Sequence, residues 1–295
     1  MIKRLCLIGS GLIGGSFALA LKRANAVEEI VAYDRDYAAA QRACELNVAD
    51  RAESELAKAV EHADVIVLAV PMGAMAPVLK ALAPLTQFEQ IITDVGSAKA
   101  RVIEDAVAAY GSLPVRFVPG HPIAGTERSG VDAAFAELFQ NRKTILTPLA
   151  ETDEAAIEVV TQLWQSAGAQ VVKMDVEHHD EVLAATSHLP HFLAYTLVAS
   201  LVRMDDSEEI FCYAAGGFRD FTRIASSDPS MWHDICLANK DKVLKLVEHF
   251  ESDLSALRQA LESGHSEEML KVFSTAKAAR DRFAQLFDGR RNQDK

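Results

Sequence analysis

A chain of 295 residues with 49% hydrophobic content can bury one large core or two ordinary ones, so two domains are expected and a small disulfide scaffold is excluded. The formal charge of −12 excludes the phosphate-seeking field of a nucleic-acid binder, and any anionic substrate must be held by local arginines against that field. Cys6, Cys44, Cys212 and Cys236 lack CxxC spacing and lie in apolar, element-like stretches, so they read as reduced, packed thiols and not as metal ligands.

The chain opens Met-Ile-Lys-Arg-Leu-Cys-Leu-Ile and runs straight into a glycine loop, which leaves no room for a signal peptide and points to the cytoplasm. Short apolar runs at 4–8, 29–33, 65–69, 91–93, 116–118, 143–146 and 171–174 are expected strands. Helical spacing is found at 12–23, 37–46, 99–110 and 154–167. This alternation predicts an α/β Rossmann domain with a mostly parallel, doubly wound sheet.

Beyond Asp175 the strand signal ends, and helices are expected over 180–202, 231–261 and 267–286. The organisation read from this change is an α/β domain at 1–176 and an all-α domain at 177–295. The apolar run 182–202 is interrupted by Ser187, His188, Pro190 and His191, polar groups too costly for lipid, so a buried helix and no membrane contact are expected. The helical half has few ways to bury its apolar faces alone, which predicts a homodimer.

Gly9-Ser10-Gly11-Leu12-Ile13-Gly14 follows the first strand and opens the first helix, the context that gives a GxGxxG match its meaning. Gly9 permits the turn, Gly11 lets backbone approach a pyrophosphate and Gly14 brings helix and strand together. The helix start then offers N–H groups and partial positive charge to the diphosphate. Asp34 ends the second strand about twenty residues later, where a carboxylate accepts from both ribose hydroxyls and repels a 2′-phosphate, favouring NAD over NADP. Arg35 beside it would partly rescue such a phosphate, and Val70-Pro71 should border the cofactor at the carboxyl edge of the sheet. In Asp94-Val95-Gly96-Ser97-Ala98-Lys99, Ser97 either caps the next helix or reaches ligand.

Gly120-His121-Pro122-Ile123-Ala124-Gly125-Thr126-Glu127-Arg128 reads as a polar, glycine-rich loop at the same edge, and His121 in it is the candidate general base. Downstream, Arg223 matches a carboxylate with a bidentate fork; Arg219, four residues earlier, either shares that role or pairs with Asp220. Ser187, His188 and His191 lie near one helical face, whereas His178 and His179 read as a solvated helix start.

The motifs at 9–15, 94–99, 120–127, 187–191 (Ser-His-Leu-Pro-His) and 218–225 (Phe-Arg-Asp-Phe-Thr-Arg-Ile-Ala) together resemble the prephenate/arogenate (cyclohexadienyl) dehydrogenases of tyrosine biosynthesis. The resemblance implies oxidative decarboxylation, with hydride passing to NAD and His121 taking the hydroxyl proton. It also implies that Ser97 orients His121 or the substrate hydroxyl, that Glu127 stands at the mouth of the site, and that His191 and Trp232 meet the substrate ring. His188 is either with them or merely packed. Some members carry a fused mutase or a regulatory module, for which this length leaves no space, so feedback by tyrosine would act at the active site. Two alternatives stand beside this reading: a β-hydroxyacid dehydrogenase of the 6-phosphogluconate type, which would need a lysine in the helix at 180–202, and a non-catalytic NAD-sensing protein.

Overall fold

The computed structural model describes residues 2–205 and 207–293, with side chains described at all of these except Ser207 and residues 285–293. In chain order the elements begin β1 (Ile2–Ile8), α1 (Leu12–Arg23), β2 (Val27–Tyr33), α2 (Tyr37–Glu45), β3 (Arg51–Glu53) and α3 (Leu56–Val60). They continue with β4 (Val65–Leu68), α4 (Met72–Leu82), β5 (Ile91–Asp94), α5 (Lys99–Tyr110) and β6 (Phe117–Val118). These six strands pair in parallel in the order β3-β2-β1-β4-β5-β6. The order reverses between β1 and β4, the switch point where open α/β sheets bind ligands beyond their carboxyl ends.

Helices cover both faces, which is why Val65-Ile66-Val67-Leu68 is wholly buried instead of alternating. Successive residues of β1 go to opposite cores: Leu5 and Leu7 join the cluster with Phe17, Phe139 and Trp164, while Cys6 and Ile8 join Met75, Leu79, Val102 and Phe117. Phe17 and Trp164 pack with ring centroids 4.1 Å apart and anchor α1.

The strands expected at 143–146 and 171–174 do not extend this sheet. β7 (Gly120–Pro122), β8 (Lys143–Leu146) and β9 (Gln170–Lys173) form a second sheet, with β7 antiparallel to β8 and α6 (Glu154–Ser166) crossing to β9. Pro119 ends the two-residue β6, and the chain leaves the first sheet there. β3, α3, α4 and β7 were not expected. α4 is masked in sequence by Gly73 and Pro77, yet it buries Met72, Met75, Leu79 and Leu82 at helical spacing.

α7 (Val176–Leu183) is capped by Asp175 and passes through a π-turn, Ala184–His188, into α8 (Leu189–Val202). α9 (Ser207–Cys212), α10 (Gly216–Thr222), a 3₁₀ turn (Arg223–Ser226), α11 (Pro229–Ala238), α12 (Lys240–Glu262) and α13 (Ser266–Gln293) follow. The helix expected across 231–261 is two helices broken at Asn239, whose side chain is spent on α7 and His188. Contacts divide the chain into two compact units, Met1–Val243 and Leu244–Lys295.

The expected buried helix at 182–202 is also corrected: in α8 only Ala194 is buried, and Phe192, Leu197 and Val202 are exposed because no described part of one chain covers that face. Val176–Val202 is long and apolar enough to cross a membrane by composition. It nevertheless buries His179, Asp180 and His188 in polar contacts with the rest of the first unit. Cys6 is buried as expected, and burial pushes its thiol up to about 12. Cys212 is exposed, because α9 buries none of its described side chains in one copy of the chain.

Candidate active site

The glycine loop lies between β1 and α1, against the end of β4. Gly9 has φ +97°, and a Cβ there would stand 2.4 Å from the Ala69 carbonyl oxygen. At Gly14 a Cβ would stand 2.4 Å from the Gly9 oxygen, so glycine alone permits this approach of helix to loop. Over Gly11 there is open space, with nothing within 4 Å of a Cβ. α1 has no side-chain cap at Gly11, and the Ser10 hydroxyl is buried without a partner among the described residues. Uncapped N–H groups, an orphan hydroxyl and an open cradle fit a diphosphate. Leu12 is buried in the helix, Ile13 and Val70 are half-buried beside the loop, and Pro71 is the N-cap residue before α4.

Asp34 is half-buried at the end of β2 and faces the same loop, accepting the Ser10 N–H at 2.9 Å. Its other oxygen accepts the Asp36 N–H, as a turn-former does, while Arg35 is exposed.

His121 lies not in a loop but on β7, and it is only 9% exposed. Its position is fixed from behind. The Asp94 carboxylate accepts the Gly120 N–H at 3.1 Å and the Gly96 N–H at 2.7 Å, and the Lys99 ammonium donates to Asp94 and to the Gly120 carbonyl. Both side chains are fully buried. Burial draws the Lys99 ammonium below the ordinary lysine range, with Asp94 opposing the shift. The Asp-Val-Gly-Ser-Ala-Lys motif thus holds the strand that carries His121.

His179 is not a solvated helix start. It is wholly buried, its Nε2 lies 2.9 Å from His121 Nδ1, and its Nδ1 lies 2.7 Å from the Asp180 carboxylate. The same carboxylate accepts the N–H groups of Lys99 and Ala100 at 2.8 and 2.9 Å, capping α5 from the helical half. Ser97 is therefore not the cap expected as one alternative: the N-cap is Ala98, and Ser97 stands half-buried in the loop before it.

Burial by itself would raise the Asp180 carboxyl, but the bonds from His179, Lys99 and Ala100 outweigh it and hold the group below the usual carboxylate range. His121 is driven well below the ordinary histidine value, first by burial and then by the neighbouring His179, Lys99 and His188.

On the opposite side, Arg223 forms an ion pair with Glu127, which brings the 3₁₀ turn over the segment that follows β7. Arg219 is 82% exposed, with Asp220 4.0 Å away. His191 stacks on Trp232, centroids 3.4 Å apart, and its Nδ1 donates to the Ser187 carbonyl at 2.8 Å. Since a carbonyl only accepts, His191 Nδ1 carries the proton. His188 is packed within α7, α11 and Asn239, and burial takes it down to about 4. Its Nε2 and the Trp232 Nε1 have no partner among the described residues.

Sequence reasoning missed His179, Asp180, Asp94, Lys99 and Asn239. A signal existed for the first two: His179 stands four residues before Leu183 and Asp180 four before Ala184, hence on the face that the helix buries.

A parallel sheet with a glycine cradle at its switch point, a clamped imidazole at its carboxyl edge and an arginine above it define a dinucleotide-dependent dehydrogenase. Residues 17–173 match the model described as "Prephenate dehydrogenase, nucleotide-binding domain" and residues 175–275 match "Prephenate dehydrogenase, dimerization domain"; the chain belongs to the prephenate dehydrogenase family. It is 41% identical to cyclohexadienyl dehydrogenase of Zymomonas mobilis over 283 residues, 95% of this chain and 96% of that one. Against prephenate dehydrogenase of Bacillus subtilis identity is 39% over 280 residues, 93% of this chain and 74% of the relative. The crystal structure of Aquifex aeolicus prephenate dehydrogenase with hydroxyphenyl propionate and NAD+ matches with TM-score 0.88 and 36% identity, covering 95% of this chain and 98% of that one.

Proposed function

We propose that this enzyme oxidises and decarboxylates prephenate, arogenate or both, yielding 4-hydroxyphenylpyruvate or tyrosine. The observation that carries the reading is the buried, clamped His121 at the edge of the dinucleotide site, with Arg223 of the helical half paired to Glu127 on the segment that follows β7.

NAD, when bound, supplies the hydride acceptor. Neutral His121 takes the proton of the ring hydroxyl as hydride leaves the same carbon, and that carbon becomes a carbonyl. The electrons of the breaking ring–carboxylate bond then flow into the ring and onto this oxygen, which takes back the proton held by His121, releasing carbon dioxide and an aromatic phenol. Arg223 holds a substrate carboxylate, exchanging Glu127 for it, and Arg219 is the second cation available nearby. His191 and Trp232 present a flat, partly apolar wall to the ring, Ser97 orients the hydroxyl or His121, and His188 supports the wall from within. Gly9, Gly11, Leu12, Ile13, Gly14, Val70 and Pro71 surround the dinucleotide, and Asp34 with Arg35 meets its ribose.

The functional boundary is placed between residues 176 and 177. A homodimer is supported by the dimerisation-domain match and by exposed Phe192, Leu197, Leu254 and Phe273. Four free cysteines support a reducing, cytoplasmic setting. Tyrosine, which carries the phenol ring of the product and a side-chain carboxylate like that of the substrate, competes at the active site. Initial rates of NADH and NADPH formation with prephenate and with arogenate test the reading; no turnover with either substrate refutes it, and light scattering tests the dimer.

A further inference from the structure

We propose that His179 and Asp180 are positioning residues that hold His121 as its Nδ1–H tautomer and so reserve Nε2 as the basic atom. The inference rests on His121 being the base. Asp180 accepts two backbone N–H groups besides the His179 contact, the bonding of an ionised carboxylate, which has no proton to give. The 2.7 Å contact therefore requires His179 Nδ1 to donate. A His179 that donates through Nδ1 alone presents a bare Nε2, and among the described residues the group that meets it, at 2.9 Å, is His121 Nδ1–H. His121 keeps its lone pair on Nε2, which makes no hydrogen bond among the described residues.

Free imidazole in water has no such constraint. A His121 carrying its proton on Nε2 would donate where the reaction needs an acceptor. The alternative chain, with a cationic His179 donating to His121, gives that unproductive tautomer and places a second cation near Lys99, which already bears on His121. The arrangement also couples the two halves: the carboxylate that orients His179 caps α5, whose first residue, Lys99, clamps the strand of His121. A base whose protonation site depends on contact with the helical half is set only when both halves are in place.

Nitrogen-15 spectra of histidine-labelled, full-length enzyme distinguish protonated from bare ring nitrogens, and the His121→Asn variant assigns the His121 signals by their loss. At neutral pH the expected pattern is a protonated Nδ1 and a bare Nε2; a protonated Nε2 overturns the proposal. This readout does not use turnover, so it is separable from a failure of His121 as base, which His121→Asn rates report. His179→Leu removes the acceptor and should lower kcat at least about tenfold, toward the roughly 10⁴-fold seen where a histidine base takes the wrong tautomer. Affinity for NAD should change less than about twofold, because the side-chain bonds of His179 go to His121 and Asp180 and not to the glycine loop. His179→Gln, which restores an acceptor oxygen near the lost Nε2, should recover most of the loss. A folded His179→Leu enzyme with unchanged kcat overturns the proposal, and if that variant does not fold, the wild-type spectrum decides alone.

Discussion

The Lys99 ammonium and the Asp94 carboxylate pair with neither side chain exposed, and together they grip the Gly120 peptide at both its N–H and its C=O. Lys99→Met leaves a carboxylate and a carbonyl buried without their donor, which should destabilise the fold by about 3–5 kcal/mol. Urea denaturation checks this. A loss below about 1 kcal/mol would mean that water replaces the ammonium, and the clamp on His121 would have to be credited to Asp94 alone.

His121→Asn removes the basic nitrogen without a large change in volume. Turnover should fall by about 10²–10⁴ while NAD binding and the circular dichroism spectrum persist. Since the neutral ring is the active form and burial lowers its affinity for protons, wild-type kcat should hold at pH 6.5 and fall only at lower pH. A mutant that keeps near-normal turnover and the same acid limb would move the base elsewhere.

Arg223 is 60% exposed in its pair with Glu127, so the gain on binding a substrate carboxylate is that of a charged hydrogen bond only partly screened. Arg223→Ala should raise KM for prephenate with little effect on NAD, by about 1.5–3 kcal/mol or roughly 10–150-fold. Steady-state kinetics with each substrate varied separates the two effects. An unchanged KM would pass the role to Arg219.

Asp34 already turns its carboxylate toward the Ser10 amide, where a ribose would lie. NAD should outperform NADP in kcat/KM, and Asp34→Ser should narrow that gap by removing a like-charge repulsion. Wild-type efficiency with NADP equal to that with NAD would exclude this role for the strand end.

Burial lowers His188 from 6.5 to about 4. The unfolded chain then takes up a proton below pH 6.5 that the folded chain refuses, so this contribution is complete above 6.5 and is lost as pH falls toward 4. The whole window corresponds to about 3 kcal/mol. The stability difference between wild type and His188→Asn should shrink by that order from pH 7 to pH 4; parallel curves would show that His188 titrates alike in the folded and the unfolded chain.

The sequence by itself determined the elements whose periodicity is set by burial alone. α1 and α5 begin and end where their apolar spacing does, and the glycine loop could be placed because turn, close approach and helix packing each demand a residue without a side chain at a fixed offset. The motif order also named the family. The second sheet was not legible, because a strand's partner is chosen by where Pro119 turns the chain and not by the apolar pattern of residues 143–146. Nor was the polar framework behind His121. Asp94, Lys99, His179 and Asp180 are separated by up to 86 residues, and nothing local tells a buried ionisable group from a solvated one. Only the tertiary structure brings α7 against the start of α5, where an aspartate caps a helix from the other half of the chain and orients a histidine in the same stroke.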